Sequence, residues 1–263
     1  MPTTEQLRIK LFCDGADLVS IMKMYNNPLI KGFTTNPTLM RKAGITDYES
    51  FGRTVLAAVP DRPVSLEVFA DDVCCMEQQA RQIATWGSNV NVKIPVTNTK
   101  GKFTGALINK LSRDGIELNV TAIMTLKQIK DVADALDPNT PAIISVFAGR
   151  IADTGVDPVP LMAEGLKLLE QRPKAELLWA SPRELLNVFQ ADEIGCHIIT
   201  ATPDILAKLN VVGKDLSEYS LDTVKMFYTD ATAAGFSIQF DGHDRFLPQE
   251  TFIGGAERSS AAD

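Results

Sequence analysis

Eight short apolar segments, each followed by a stretch with helical spacing, constrain this chain more than any other feature of its sequence. The segments are Ile9–Cys13, Gly32–Thr35, Val64–Phe69, Val90–Pro95, Ile116–Thr121, Ala142–Phe147, Glu176–Ala180 and Cys196–Thr200. Their length and their richness in Val and Ile predict strands. Between them, Asp72–Thr85, Leu126–Leu136, Pro158–Glu170 and Arg183–Gln190 carry apolar residues three and four apart, which predicts helices. Strands and helices in strict alternation on short connections predict the α/β class, closed as a single-domain (β/α)₈ TIM barrel. An open doubly wound sheet is the second arrangement the pattern allows. The length, 263 residues, suits one barrel. A further helix is predicted over Leu221–Ala234, with Ser220 as N-cap and Gly235 as its stop. Residues 1–240 are therefore expected to form a barrel with a C-terminal helix, and residues 241–263 a loosely ordered polar tail.

The formal net charge of −7 disfavours nucleic acid and anionic membranes as partners. An anionic ligand would need a local basic site. Met1–Lys10 lacks the apolar stretch of a secretory signal, and no run of 18 apolar residues occurs, so a cytoplasmic location is expected. The four cysteines, Cys13, Cys74, Cys75 and Cys196, show no metal-ligand spacing and are expected to be buried free thiols. With two histidines, His197 and His243, neither a metal site nor a cofactor is expected.

Strand parity sorts the polar residues. In a barrel, alternate side chains face the helices and the remainder face the interior. Val90, Val92, Ile94 and Val96 share one face, which leaves Asn91 and Lys93 inside. The same sorting puts Asp14, Glu67, Asn119, Thr121, Ser145 and Phe147 inside. On the seventh strand it turns Leu178 and Ala180 outward and brings Trp179 and Ser181 inside, Trp179 as pocket wall or as core. Interior positions of such barrels are normally filled by Val, Ile and Leu. Polar groups on six strands, near the ends where barrel enzymes keep their active sites, predict a catalytic centre.

The residue types suggest which chemistry. A lone ammonium inside a barrel is costly to bury unless it is paired or deprotonates, and the free amine can attack a ketone and form a Schiff base. The protonated imine is then an electron sink for cleavage of the neighbouring carbon–carbon bond, and no metal is required. A carboxylate must carry the hydroxyl proton, with Asp14 and Glu67 as the candidates. Asn and Ser or Thr side chains can fix substrate hydroxyls.

These residues lie in seven strings: Asp14-Gly15-Ala16-Asp17, Gly32-Phe33-Thr34-Thr35-Asn36-Pro37, Val64-Ser65-Leu66-Glu67-Val68, Val92-Lys93-Ile94-Pro95-Val96-Thr97, Leu118-Asn119-Val120-Thr121, Ser145-Val146-Phe147-Ala148-Gly149-Arg150 and Ala180-Ser181-Pro182-Arg183. In this order, one per strand end, they resemble the transaldolase family from about Leu11 to Gly235. The resemblance implies that Lys93 forms the Schiff base and that Asp14 is the general acid/base at the cleaved bond. It implies that Glu67 and Thr121 position a catalytic water, and that Asn36, Asn119 and Ser145 hold the dihydroxyacetone part. Arg150, Ser181 and Arg183 would hold the phosphate, a role that guanidiniums also suit on chemical grounds. The implied partners are small-molecule sugar phosphates of the pentose phosphate pathway, with a homo-oligomer left open.

Plainer roles stand beside these. Arg150 could pair with Asp153, Arg183 with Glu184, and Asn36-Pro37 is a common turn signal. Asp17 suits a helix N-terminus better than catalysis. The chain departs from the family pattern at Gly15, usually Thr, and at Val146, usually Pro. Within the family, the aldolases resembling fructose-6-phosphate aldolase tend to have Gln where Glu67 stands and Tyr where Phe147 stands; Glu67 and Phe147 match the transferases. The same strings would also suit an enzyme for unusual sugars, or a barrel that binds sugar phosphate without turnover. The intact set of Lys93, Asp14 and Glu67 weighs against a barrel without turnover.

Overall fold

A computed structural model of the chain describes residues 3–238, so His243 and the polar stretch 241–263 lie outside the described residues. The strands are β1 (Lys10–Asp14), β2 (Ile30–Thr34), β3 (Val64–Glu67), β4 (Val90–Pro95), β5 (Leu118–Ile123), β6 (Ala142–Val146), β7 (Ala175–Ala180) and β8 (Ile198–Ala201). All pair in parallel in sequence order, and β8 returns to β1, closing the barrel. The first helices are α1 (Leu18–Tyr25), α2 (Pro37–Lys42), α3 (Tyr48–Ala58), α4 (Val73–Ala84) and α5 (Gly105–Arg113). There follow α6 (Leu126–Ala135), α7 (Ala148–Asp153), α8 (Pro158–Leu168), α9 (Leu186–Glu193), α10 (Pro203–Ala207) and α11 (Leu216–Ala233).

Short polar side chains start many of these helices. Asp17, Asn36, Asp47, Asp72 and Asp157 each accept a hydrogen bond from a backbone N–H of the first turn, and Thr125 forms a capping box with Gln128. Asp17 is thus a cap, as its position suggests. The outward faces of the strands carry most of the core. Val64, Leu66, Val92, Ile94, Leu118, Val120 and Ile144 are fully buried in one continuous cluster with the helices. Each contributes about 1.5–3 kcal/mol of transfer free energy.

A second, smaller cluster plugs the barrel interior: Phe12, Ile143, Leu178, Ala180 and Ile198, with Phe147 packed against it. Gly32 follows from this plug, because a Cβ there would lie 2.5 Å from Phe12 Cζ. Below the plug, at the N-terminal mouth, Lys10 pairs with Glu176 at 2.7 Å and Asn91 donates to Glu117 at 3.3 Å.

The plug also corrects the parity expected on β7. Leu178 and Ala180 point into the barrel, whereas Leu177 and Trp179 pack outward in the main core. Most of β7 is apolar on both faces, so alternation carries no direction there. Trp179 is core, and no pocket wall. Ser181 is likewise no inward strand position; it turns the chain just after β7 in a left-handed conformation, φ 61°. Two further expectations shift. α9 begins three residues later than the predicted Arg183 start. α11 begins at Leu216 under an Asp215 cap, so Ser220 lies inside it, although Gly235 stops it at φ 67° as expected. Of the cysteines, Cys13 and Cys196 are buried, but Cys74 and Cys75 are exposed on α4; all are free. By compactness the chain divides after Gly213, the barrel falling in the first unit and α11 in the second.

Candidate active site

The register of the central strands sets Lys93 between Glu67 and Asn119, its direct partners on β3 and β5. Lys93 is only 6% exposed. Its Nζ donates to the Thr35 carbonyl at 2.8 Å and lies 3.0 Å from Glu67 Oε2. The ammonium is therefore paired rather than alone, the first of the two outcomes its interior position allows. Glu67 is itself braced, since Tyr48 donates its hydroxyl to the Glu67 carbonyl at 2.9 Å.

Asp14 ends β1 at the same mouth. Thr34 donates its hydroxyl to Asp14 Oδ1 at 2.8 Å, and Asn36 Nδ2 lies 3.4 Å from Oδ2. Burial pushes the Asp14 carboxyl above its ordinary range, opposed by the Lys93 charge and the Thr34 hydrogen bond, while Glu67 adds to the rise. Asn36 serves two ends. Its Oδ1 caps α2 through Leu39 N at 2.9 Å, and its amide faces Asp14, so the turn signal and the expected site residue are one side chain.

On the next strands a polar line crosses the interior. Ser145 donates to Asn119 Oδ1 at 2.7 Å, and Asn119 donates to Ser65 Oγ at 2.9 Å. Thr121 differs. Its hydroxyl is buried and has no hydrogen-bond partner among the described residues. Immediately after it, Ala122 takes φ 65° where the pairing of β5 with β6 is irregular. Such a bulge re-aims the side chains beside it.

The expected phosphate residues gather at the ends of β6 and β7. Arg183 is bound by Asp153: Nε donates to Oδ1 at 2.8 Å and Nη2 to Oδ2. Arg183 Nη1 also donates to Ser181 Oγ at 3.0 Å. Neither of the plainer pairings forms: Asp153 binds Arg183 instead of Arg150, and Glu184 does not pair with Arg183, because the turn of α7 brings Asp153 across to the loop after β7. Arg150 makes no ion pair among the described residues; its guanidinium lies over the Phe147 ring at 5.2 Å. Gly149 permits this close assembly, since a Cβ there would lie 1.6 Å from the Ser181 carbonyl oxygen.

Several members of the constellation were not singled out by sequence reasoning. Thr34 and Thr200 join their hydroxyls at 2.5 Å beside Asp14, Ser65 extends the Asn119 line, and Asp153, considered only as a partner of Arg150, holds Arg183. The first three lie on inward parity positions, which was the available signal. Among the described residues no three His, Cys, Asp or Glu side chains stand together as a metal-ligand group, and no helix is long and apolar enough to cross a membrane.

Fold and site together define a (β/α)₈ barrel with a buried lysine–carboxylate centre at the C-terminal mouth. The family model described as transaldolase/fructose-6-phosphate aldolase matches residues 11–243, and the chain belongs to that family. A relative from Dehalococcoides mccartyi named "Probable transaldolase" is 34% identical over 204 residues, covering 76% of this chain and 90% of the relative. One from Listeria monocytogenes, "Probable transaldolase 2", is 35% identical over 202 residues, covering 76% and 88%. Among solved structures, 3-keto-L-gulonate-6-phosphate decarboxylase from Vibrio cholerae superposes with a TM-score of 0.50 at 14% identity, covering 77% of this chain and 94% of that one. This last similarity is one of fold.

Proposed function

We propose that this chain is a Schiff-base transaldolase of the cytoplasm. It would move a dihydroxyacetone unit from a ketose phosphate, such as fructose 6-phosphate or sedoheptulose 7-phosphate, to an aldose phosphate. The observation that carries this is the buried pair of Lys93 Nζ and Glu67 Oε2, 3.0 Å apart, with the Thr121 hydroxyl, unpartnered among the described residues, on the strand beyond.

Lys93 passes a proton to Glu67, and the free amine attacks the ketose C2 carbonyl to form the C–N bond, the carbonyl π electrons moving to the oxygen, which takes a proton from the nitrogen. A water held between Glu67 and Thr121 returns that proton to the carbinolamine hydroxyl, which leaves as water. Asp14 then takes the proton of the C4 hydroxyl. The electrons of that O–H bond form the aldehyde of the departing aldose phosphate, and those of the C3–C4 bond move into the imine. The three-carbon unit stays on Lys93 as an enamine. It attacks the acceptor aldehyde, and Asp14 gives its proton to the new hydroxyl. Water activated by Glu67 then adds to C2 of the new imine, breaking the C–N bond to release the ketose phosphate and restore the Lys93 amine. Asn36, Asn119 and Ser145 hold the substrate hydroxyls, and Arg150, Ser181 and Arg183 the phosphate.

Phe147 supports transfer over simple cleavage. It packs against the apolar plug and carries no hydroxyl that could protonate the enamine. Borohydride reduction in the presence of fructose 6-phosphate should attach the three-carbon unit to the peptide containing Lys93. An adduct on Lys100 or Lys102 instead, or none, would overturn the assignment. Fructose 6-phosphate alone should release little dihydroxyacetone, and erythrose 4-phosphate should bring rapid formation of sedoheptulose 7-phosphate. Equal rates with and without acceptor would favour the aldolase.

A further inference from the structure

Two threonines lie in line beside Asp14. Thr34, at the end of β2, donates its only hydroxyl hydrogen to Asp14 Oδ1 at 2.8 Å. Its oxygen lies 2.5 Å from the Thr200 hydroxyl on β8, on the far side of β1 in the pairing order. An ionised carboxylate can only accept, so the hydrogen of Thr34 is committed to it. The hydrogen between the two hydroxyls must then come from Thr200. The chain of donation has one direction: Thr200 to Thr34 to Asp14 Oδ1. Both threonines are almost wholly buried, Thr34 at 3% exposed and Thr200 at 5%. Successive hydrogen bonds polarise one another in such surroundings.

The other oxygen of Asp14 is treated differently. Among the described residues, Oδ2 has only the long 3.4 Å approach of the Asn36 amide. We infer that Thr200, acting through Thr34, is a positioning residue that occupies Oδ1 and so assigns Oδ2 as the atom that takes and returns the substrate hydroxyl proton. This rests on the reading of Asp14 as the proton carrier. In cleavage the substrate O–H bond breaks as the Oδ2–H bond forms, and the oxygen's electrons become the aldehyde π bond. In transfer the same proton leaves Oδ2 for the new alkoxide. Oδ1 keeps its hydrogen bond throughout, so the carboxyl does not rotate between the two half-reactions. The charged groups acting on Asp14 are the ammonium of Lys93 on β4 and the carboxylate of Glu67 on β3; Asn36 and the two threonines supply the neutral contacts.

Thr200→Val keeps the shape and removes the donor. Its kcat should fall about fivefold, the worth of one hydrogen bond. KM should hardly change, because Thr200 reaches the reaction only through Thr34. The acidic limb of the kcat–pH profile should move to higher pH, because Asp14 loses part of the donation that favours its ionised form. Thr200→Ser should restore both rate and profile. Thr200→Cys, which keeps only a weak donor, should fall between and serves if the valine variant does not fold. A pH profile of the valine variant that overlies that of the unaltered protein would overturn the inference. So would a lower kcat with an unmoved profile that serine does not rescue. Asp14→Asn separates this from failure of the underlying reading: it should still trap the Lys93 adduct but not cleave the carbon–carbon bond. Normal cleavage by Asp14→Asn would remove the proton carrier itself, whatever the threonines do.

Discussion

The pairing of Arg183 with Asp153 makes the two phosphate-site arginines unequal, and the inequality can be measured. Arg150 makes no ion pair among the described residues, although its charge reaches Asp153, so its guanidinium donors are open to a phosphate. Hydrogen bonds to a charged group contribute about 1.5–3 kcal/mol. Arg150→Ala should therefore reduce kcat/KM for fructose 6-phosphate by about tenfold to a hundredfold. Arg183 already donates twice to Asp153 and once to Ser181, and Asp153 is held below the usual carboxylate range, chiefly by the hydrogen bond from Arg183. Arg183→Ala removes one phosphate donor and also leaves the Asp153 carboxylate ionised beside the phosphate without its cation. Its loss should thus equal or exceed that of Arg150→Ala. Adding Asp153→Ala to Arg183→Ala should recover part of the loss, whereas Asp153→Ala alone should change the rate only severalfold. The assay is a double-mutant cycle on kcat/KM, run in parallel with fructose, which lacks the phosphate. Losses of equal size on fructose and on fructose 6-phosphate would refute the reasoning and make both arginines structural. A double variant worse than Arg183→Ala would refute the part given to Asp153.

Asp14→Asn should raise the melting temperature at neutral pH by about 2–4 °C. The folded-state pKa of Asp14 is raised, mainly by burial, so its ionised form penalises folding at neutral pH. The advantage of Asn should shrink as pH falls through the folded-state pKa and vanish below the unfolded value, near 4. A gain that persists at pH 3 in thermal melts would contradict this. Gly32→Ala should cost about 1–3 kcal/mol in urea unfolding, because its Cβ meets the Phe12 ring, and Phe12→Leu in the same chain should return part of it. Phe147→Tyr should raise the release of free dihydroxyacetone from fructose 6-phosphate relative to transfer, as measured by coupled assay; an unchanged ratio would remove Phe147 from the explanation. Exhaustive chelation should leave the transfer rate unchanged, and recovery of a dialysed protein only with a divalent ion would contradict the imine mechanism.

How much of this is legible in the sequence depends on contrast along each strand. In β4 one face is uninterrupted Val and Ile, so Lys93 can only point inward. Asp14, Glu67, Asn119 and Ser145 are placed by the same contrast. β7 has none, because most of its residues are apolar on either face, and parity turns Trp179 the wrong way. The Ser181 turn depends on a left-handed backbone that its residue type does not announce. Contacts between distant strands are also hidden. Thr34 and Thr200 are 166 residues apart, and Asp153 and Arg183 are 30 apart, so neither pair leaves a local pattern. Glu184, adjacent to Arg183, is the obvious partner in one dimension and the wrong one in three.

The apolar plug of Phe12, Ile143, Leu178, Ala180 and Ile198 separates two chemically distinct ends of one tube. Above it lie Lys93 and its carboxylates; below it, Lys10–Glu176 and Asn91–Glu117 line the opposite mouth. The plug itself offers no polar group to conduct water or protons, so proton traffic at the reacting centre runs through the upper mouth. The lower end is thus where solubility, surface attachment or a new binding face could be built into this barrel, and the upper end is where its substrate preference would have to be altered.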